Sequence, residues 1–358
     1  MKITHLIWAL TYGGAETMLI DIINEESKTE EINLILVNKF EHIELIETIN
    51  KRVTVHLINR KPGSRNFIHF IRLNFLLKRL NPDIIHLHNG DIRNMLLFNK
   101  KNIVYTVHAM NVNISGIKRY TTVYAISKAV QTDLAKRLKV KSVVVYNGIP
   151  FSSFNFKFGL QKINSHFKIV QISRLFHLNK GQDLAIIALG ILKRKYGITN
   201  FQLDFIGDGP SLKFLQKLVK ENDIEDQIHF KGAKEREYIY QNLYKYDLLI
   251  QPSINEGFGL TIIEAMAAKV QVLVADIDGP IEIIQNGKYG NYFQKGNAKQ
   301  LAESIKDIIQ STDYYKLVRK LENAYQYAKQ NFDISITAKK YIEDYKRIIS
   351  NNKRLGKQ

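Results

Sequence analysis

The sequence predicts an α/β protein built from two doubly wound, Rossmann-like domains, and three observations predict it. Its 358 residues exceed one ordinary core and suit two domains of roughly 150 residues each. Strand-like runs of β-branched and aliphatic residues alternate with amphipathic stretches of helical period from end to end. Glycine and polar residues gather just after those strands, at the edge where open parallel sheets bind ligands.

Strands are expected in the first half at Lys2 to Leu10, Ile32 to Asn38, Val53 to Leu57, Asp83 to His88, Asn102 to His108, Thr122 to Ile126 and Ser142 to Tyr146. The second half offers Lys168 to Ser173, Gln202 to Ile206, Gln227 to Phe230, Tyr246 to Ile250, Val270 to Val274 and a short run near Gly290 to Phe293. Weak periodicity from Ile149 to Ser165 marks an interdomain linker. The domains are therefore set at 1–160 and 161–332. Residues 333–358 are expected to be a basic amphipathic helix, entered through an extended segment and frayed at Asn351 to Gln358. No internal repeat or low-complexity tract is visible.

Composition excludes several classes. With 45% hydrophobic and 24% charged residues a core is available. The absence of cysteine removes disulfides, thiolate metal sites and thiol nucleophiles, and suits a reducing compartment. Residues 1–10 lack a signal-peptide cleavage pattern, and no apolar run of about 18 residues occurs, so a cytoplasmic location is expected. The net charge of +18 asks for an anionic partner: nucleic acid, an anionic membrane surface or phosphorylated ligands. Residues 1–165 carry 23 Lys and Arg against 12 Asp and Glu, while the remainder carries 29 against 22, so the first half is the more basic.

The polar strand ends supply the candidate site, and two such edges facing each other would form a central cleft. Gly13-Gly14 opens a helix directly after the first strand, which lets backbone amides approach a phosphate; a tight turn without a ligand reads equally well. Gly207-Asp-Gly209-Pro210 repeats the arrangement but lacks the third glycine and acidic partner of a dinucleotide fingerprint. Arg174 and Lys180 flank a strand-to-helix loop, where fixed cations would stabilise a departing nucleoside diphosphate; a solvated basic loop is the plainer alternative. In Glu256-Gly-Phe-Gly-Leu-Thr-Ile-Ile-Glu264, Gly257 and Gly259 allow a tight entry into a helix that places Glu264 about one turn in. One carboxylate can then meet a sugar and the other ribose hydroxyls, against the alternative of ordinary helix glutamates.

These residues resemble the retaining glycosyltransferases of family four, the group one enzymes of GT-B fold. The blocks Gly13-Gly-Ala-Glu16, Asp83-Ile-Ile-His-Leu-His88, Tyr105-Thr-Val-His108, Ala125-Ile-Ser-Lys128, Val145-Tyr-Asn-Gly-Ile149, Arg174 with Lys180-Gly181, Phe205-Ile-Gly-Asp-Gly-Pro210 and Glu256 with Glu264 follow the family's order and spacing over nearly the whole chain. The resemblance implies donor binding by Gly13, Gly14, Arg174, Lys180, Gly257, Phe258, Gly259, Leu260 and Glu264, with Arg174 and Lys180 on the diphosphate and Glu264 on the ribose. It implies that Glu256, with the amides of Phe258 to Leu260, meets the transferred sugar, and that His108 stands beside the anomeric carbon. It also implies a C-terminal helix that returns to the N-terminal domain. The sequence departs from the family at Asp276-Ile-Asp278-Gly279-Pro280, where many members carry a glycine pair; that bears on the sugar's identity.

The implied partners are a nucleotide-diphosphate sugar, with a uridine donor the family's commonest, and a saccharide or lipid-linked saccharide acceptor, as in surface polysaccharide synthesis. No cofactor and no metal are expected. Asp276-Ile-Asp278 does spell a metal-binding tripeptide, and His86, His88 and His108 form a possible zinc triad, for which a polar role lining the cleft is preferred. A basic nucleic-acid-binding or non-catalytic nucleotide-sugar-binding protein is the alternative, although aromatic-basic interleaving is missing and nucleic acid is not the expected partner. The basic, apolar run Arg60 to Leu80 could instead rest on an anionic membrane, giving a peripheral seat on the inner face of the cell membrane, or simply pack as a helix.

Overall fold

The computed structural model describes residues 1–11, 13–39, 42, 44–97, 102–112, 116–157 and 166–355, with backbone alone at residues 118 and 353–355. It resolves into two compact units, one of Met1–Pro150 with Phe332–Gln358 and one of Phe151–Asn331. Residues 158–165 of the expected linker, Tyr12 of the first glycine loop and residues 356–358 of the expected frayed tip lie outside the described residues.

The first unit is a parallel sheet of seven strands: β1 (Lys2–Ile7), β2 (Glu31–Asn38), β3 (Thr54–Arg60), β4 (Ile84–Leu87), β5 (Ile103–Val107), β6 (Thr122–Ala125) and β7 (Val143–Val144). Their order is β3-β2-β1-β4-β5-β6-β7, so the direction of winding reverses between β1 and β4. Helices α1 (Gly14–Glu26), α2 (Glu44–Glu47), α3 (Ile68–Leu80) and α4 (Lys128–Leu138) connect the strands. The central strands are apolar runs because helices cover both faces of such a sheet.

The second unit repeats the plan with six parallel strands: β8 (Phe167–Ile172), β9 (Phe201–Ile206), β10 (Ile228–Phe230), β11 (Leu248–Gln251), β12 (Gln271–Ala275) and β13 (Asn291–Phe293). The order β10-β9-β8-β11-β12-β13 puts its reversal between β8 and β11. Its helices are α5 (His177–Lys180), α6 (Gln182–Tyr196), α7 (Leu212–Glu221), α8 (Arg236–Asn242), α9 (Leu260–Ala267), α10 (Asp278–Ile283), α11 (Ala298–Ile309) and α12 (Tyr314–Phe332). Phe201, Phe205, Leu189, Leu192 and Leu301 fill the core between β8–β9 and helices α6 and α11.

The C-terminal helix α13 (Ile334–Leu355) belongs to the first unit and packs along α1. Its buried Tyr341 and Tyr345 reach Thr106 and His86 of the sheet. The extended segment expected before it is absent, because α12 stays helical to Phe332. Asp333 alone separates the two helices, bridging to Ile149 and accepting from the Ser335 amide. The first strand is also shorter than expected. It ends at Ile7 because the Trp8 amide leaves the sheet to donate to Asn89 Oδ1 at 3.0 Å.

Candidate functional site

Open parallel sheets bind ligands where the winding reverses, at the carboxyl ends of the strands. In the second unit that point lies between β8 and β11, and both strands run into loops that carry the expected residues. After β8 comes Arg174, exposed, and then Lys180 at the end of α5. After β11 comes Glu256. Lys180 Nζ lies 2.7 Å from Glu256 Oε2, with both side chains mostly shielded from water. Gln251, the last residue of β11 and buried, donates from Nε2 to the same carboxylate oxygen at 3.2 Å. Among the described residues Arg174 has no ion-pair partner.

The glycines hold these loops in register. Gly181 has φ +67°, and a Cβ there would run into the Pro252 carbonyl oxygen, so only glycine lets the Lys180 loop close on the Glu256 loop. The Ile254 amide donates to Asn179 O at 2.9 Å and reinforces the junction. Gly207 and Gly209 abut the carbonyls of Ser173 and Leu175, the residues flanking Arg174. The Leu175 amide donates to Asp208 O at 2.9 Å. The Gly-Asp-Gly run thus packs one loop against another and fixes the backbone of Arg174.

The Glu256 loop enters α9 through Gly259, whose φ of +119° is costly for any residue with a Cβ. Leu260 is the first helical residue, and Glu264 is half-buried within the helix. The Phe258 ring is 2% exposed and anchors the turn in the core, leaving its backbone as the part able to meet a ligand. Gly279 packs directly on the backbone of Glu256, Gly257 and Phe258, where a side chain would clash. The departure noted in the sequence therefore keeps the one glycine this contact requires. Asp276 Oδ1 accepts from the Lys295 amide at 2.6 Å, and Asp278 is the first residue of α10, with its side chain exposed.

In the first unit Gly13 caps α1 and Gly14 begins it. The Glu16 carboxylate lies against Gly13, so the helix start meets an acid from its own first turn. His108 follows β5. Its residue is half-buried, and its Nε2 lies 3.2 Å from His88 Nδ1. His86 and His88 do not line an open surface, as was expected of them: they are 0% and 3% exposed. His86 is held between the Tyr345 hydroxyl at 2.6 Å and Thr106 Oγ1 at 2.7 Å. The parallel register sets His5 of β1 beside His86 of β4, and His5 rather than His108 completes a tight group of three. His5 also bonds Glu26 Oε2 at 2.8 Å with both side chains fully buried.

Desolvation lowers the basicity of His86 and His88 far below the usual imidazole value and pulls His108 down to about 4, while burial raises the Glu26 carboxyl against a smaller opposing pull from His5. Sequence reading missed Gln251, His5, Glu26, Tyr341 and Tyr345, and named Gly279 without its contact on the Glu256 loop. One signal existed for Glu26, which continues the apolar face of α1 at helical spacing from Leu19, Ile22 and Ile23.

Two parallel doubly wound sheets of this order and size, each with its reversal point, have the GT-B architecture. The HepE protein of Anabaena, solved in complex with UDP and glucose, superposes with a TM-score of 0.80 at 22% identity, covering 96% of this chain and 99% of that one. Residues 12–152 match the model for glycosyltransferase family 4 and residues 153–331 the model for glycosyl transferases group 1. The chain belongs to family four, a retaining glycosyltransferase family that uses nucleotide sugars. An uncharacterized glycosyltransferase of Methanocaldococcus jannaschii is 25% identical over 344 residues, covering 89% of this chain and 91% of the relative. The N,N'-diacetylbacillosaminyl-diphospho-undecaprenol alpha-1,3-N-acetylgalactosaminyltransferase of Campylobacter jejuni is 34% identical over 124 residues, 35% of this chain and 32% of that one.

Proposed function

We propose that this enzyme moves a hexose, with retention, from a uridine-diphosphate sugar to a saccharide or lipid-linked saccharide acceptor in surface polysaccharide synthesis, without a metal ion. The observation that carries the reading is the 2.7 Å contact between Lys180 and Glu256 across the reversal point of the second unit. A cation suited to phosphate and a carboxylate suited to sugar hydroxyls stand side by side there, as a diphosphate sugar requires. Arg174 and Lys180 stabilise the charge that develops on the departing diphosphate. Glu264 takes the ribose, and Glu256 with the backbone of Gly257 to Leu260 takes the sugar. The departing diphosphate itself accepts the acceptor's proton, so no side chain need act as a strong nucleophile. Donor binding by Gly13 and Gly14 and a role for His108 beside the reacting carbon are supported by the family resemblance of those residues. A lipid-linked acceptor is supported by the Campylobacter relative, whose name places its own acceptor on diphospho-undecaprenol.

An anionic membrane as a second partner is supported by α3. Phe67 at 59%, Ile71 at 49% and Phe75 at 68% exposure form an apolar stripe with Ile68, flanked by exposed Arg65, Arg72, Lys78 and Arg79, while Leu73 and Leu77 face the core. Among the described residues no helix is long and apolar enough to cross a membrane. A thermal-shift series with UDP, GDP, ADP and their sugar conjugates tests the donor. Stabilisation by UDP and one UDP-hexose is expected; a response to RNA and to no nucleotide would sink the reading.

A further inference from the structure

Three hydrogen bonds run nose to tail from Glu26 to His108. Glu26 Oε2 meets His5 Nε2 at 2.8 Å, His5 Nδ1 meets His88 Nε2 at 3.1 Å, and His88 Nδ1 meets His108 Nε2 at 3.2 Å. At both histidine junctions the ring centroids are 5.4 Å apart and the planes differ by only 26° and 28°. The rings therefore meet edge to edge, with the in-plane N–H of one aimed at the in-plane lone pair of the next. The chain's two ends, Glu26 Oε1 and His108 Nδ1, are both buried atoms without a partner among the described residues.

This arrangement fixes where the protons sit. A neutral imidazole has one N–H and one lone pair, and a carboxylate only accepts. With Glu26 ionised, His5 donates from Nε2 and accepts at Nδ1; His88 must then donate from Nε2, and so must His108. His108 Nδ1 is left with a bare lone pair. If Nδ1 takes a proton, the Nε2 proton of His108 passes to His88 Nδ1, that of His88 Nε2 to His5 Nδ1, and that of His5 Nε2 to Glu26 Oε2. Three N–H bonds form, three break, and one O–H bond forms, balanced by the bond that held the proton in its donor, hydronium on acidification. Every imidazole ends neutral, and the charge lost is that of Glu26.

The surroundings favour this end state. Glu26 lies in the last turn of α1, where the helix dipole and burial both oppose a carboxylate. The titratable groups around it are His5 of β1, Glu30 with its partners the Met1 amine and Lys346, and the phenols of Tyr341 and Tyr345 on α13. His88 faces His5, His86 and His108. A metal is disfavoured, although His5, His86 and His88 place ligand atoms within 4.8 Å of one another, because both nitrogens of all three rings already have protein partners.

We propose that Glu26, His5 and His88 are positioning residues that fix His108 as its Nε2–H tautomer, with a buried Nδ1 lone pair left unpartnered among the described residues, and that they carry a proton delivered to that atom on to Glu26 without forming an imidazolium. The tautomer order does not depend on the proposed function. Long-range proton–nitrogen correlation spectra of the free, ¹⁵N-histidine-labelled protein test it. At neutral pH His5, His88 and His108 are expected as Nε2–H tautomers. On acidification all three should switch to Nδ1–H at one shared midpoint, and Glu26→Gln, with a far-ultraviolet spectrum unchanged from wild type, should abolish that midpoint. The wild-type spectra decide the matter should the variant not fold. Mixed tautomers at neutral pH, separate midpoints to imidazolium, or ring-nitrogen shifts on adding equimolar zinc would each overturn the proposal. None of these outcomes depends on nucleotide binding, so failure of the transferase reading would be seen separately.

Discussion

Lys180 and Glu256, 76 residues apart in sequence, meet at 2.7 Å where the second sheet reverses its winding. The pair couples the group assigned to the diphosphate with the group assigned to the sugar. Lys180→Ala should lower kcat on the order of 10²-fold, the usual cost of losing a donor aimed at developing charge. Arg174→Ala should do the same with an unchanged melting temperature, since that side chain is exposed and no ion pair is lost within the described residues. Steady-state kinetics on both variants check this, and wild-type turnover in Arg174→Ala would remove its assigned role. In the double variant Lys180→Ala/Glu256→Gln the losses should be less than additive, because the two side chains touch.

Gly181→Ala adds a Cβ against Pro252 O at a left-handed backbone position. Strain of about 1–2 kcal/mol is expected from the backbone alone, with the clash adding to it. Differential scanning calorimetry should show a lower transition for the second unit, and kcat should fall because the Lys180 loop no longer seats on Glu256. An alanine variant with wild-type stability would mean that the two loops are not locked together.

Acidification should weaken the first unit. His86, His88 and His108 are all less basic when folded than the unfolded value of about 6.5, so below that pH the unfolded chain binds more protons. Stability from these groups is present above pH ~6.5 and is lost as pH falls toward their folded values. Glu26, raised in the fold, works in the opposite sense, gaining a proton more readily when folded. Three groups outweigh one, and each net proton is worth about 1.4 kcal/mol per pH unit. Melting curves between pH 7.5 and pH 5 should show the first unit's midpoint dropping; a flat profile would mean that the histidines are not held neutral.

Activity should survive EDTA. Asp276 Oδ1 already accepts from the Lys295 amide, and the roles proposed for Arg174 and Lys180 leave the diphosphate without need of a divalent ion. Turnover measured with and without chelator checks this, and loss restored by magnesium or manganese would reverse the assignment.

The exposed stripe on α3 should bind anionic vesicles. Flotation with phosphatidylglycerol liposomes is expected to carry the wild-type protein upward, and Phe67→Ser/Phe75→Ser should cut the bound fraction several-fold while leaving turnover on a soluble acceptor unchanged. Equal flotation with neutral lipid would argue against an electrostatic contribution.

The sequence by itself determined every strand of both sheets to within a few residues. Alternating apolar runs and amphipathic stretches are local signals, and the glycines and charges that follow the strands are local too. It therefore also placed Arg174, Lys180, Glu256 and Glu264 at or just beyond the carboxyl-end edge of the second sheet. What it could not determine was which partners meet across strands. That Lys180 touches Glu256, that Gly181 closes on Pro252 and Gly279 on Gly257, and that His86 and His88 lie in the core rather than on an open edge follow from strand order and register. The line from Glu26 through His5 and His88 to His108 was decided by tertiary structure alone. Its members come from α1, β1 and the residues just after β4 and β5, and only the parallel pairing of β1 with β4 and of β4 with β5, under the cover of α13, brings their rings edge to edge.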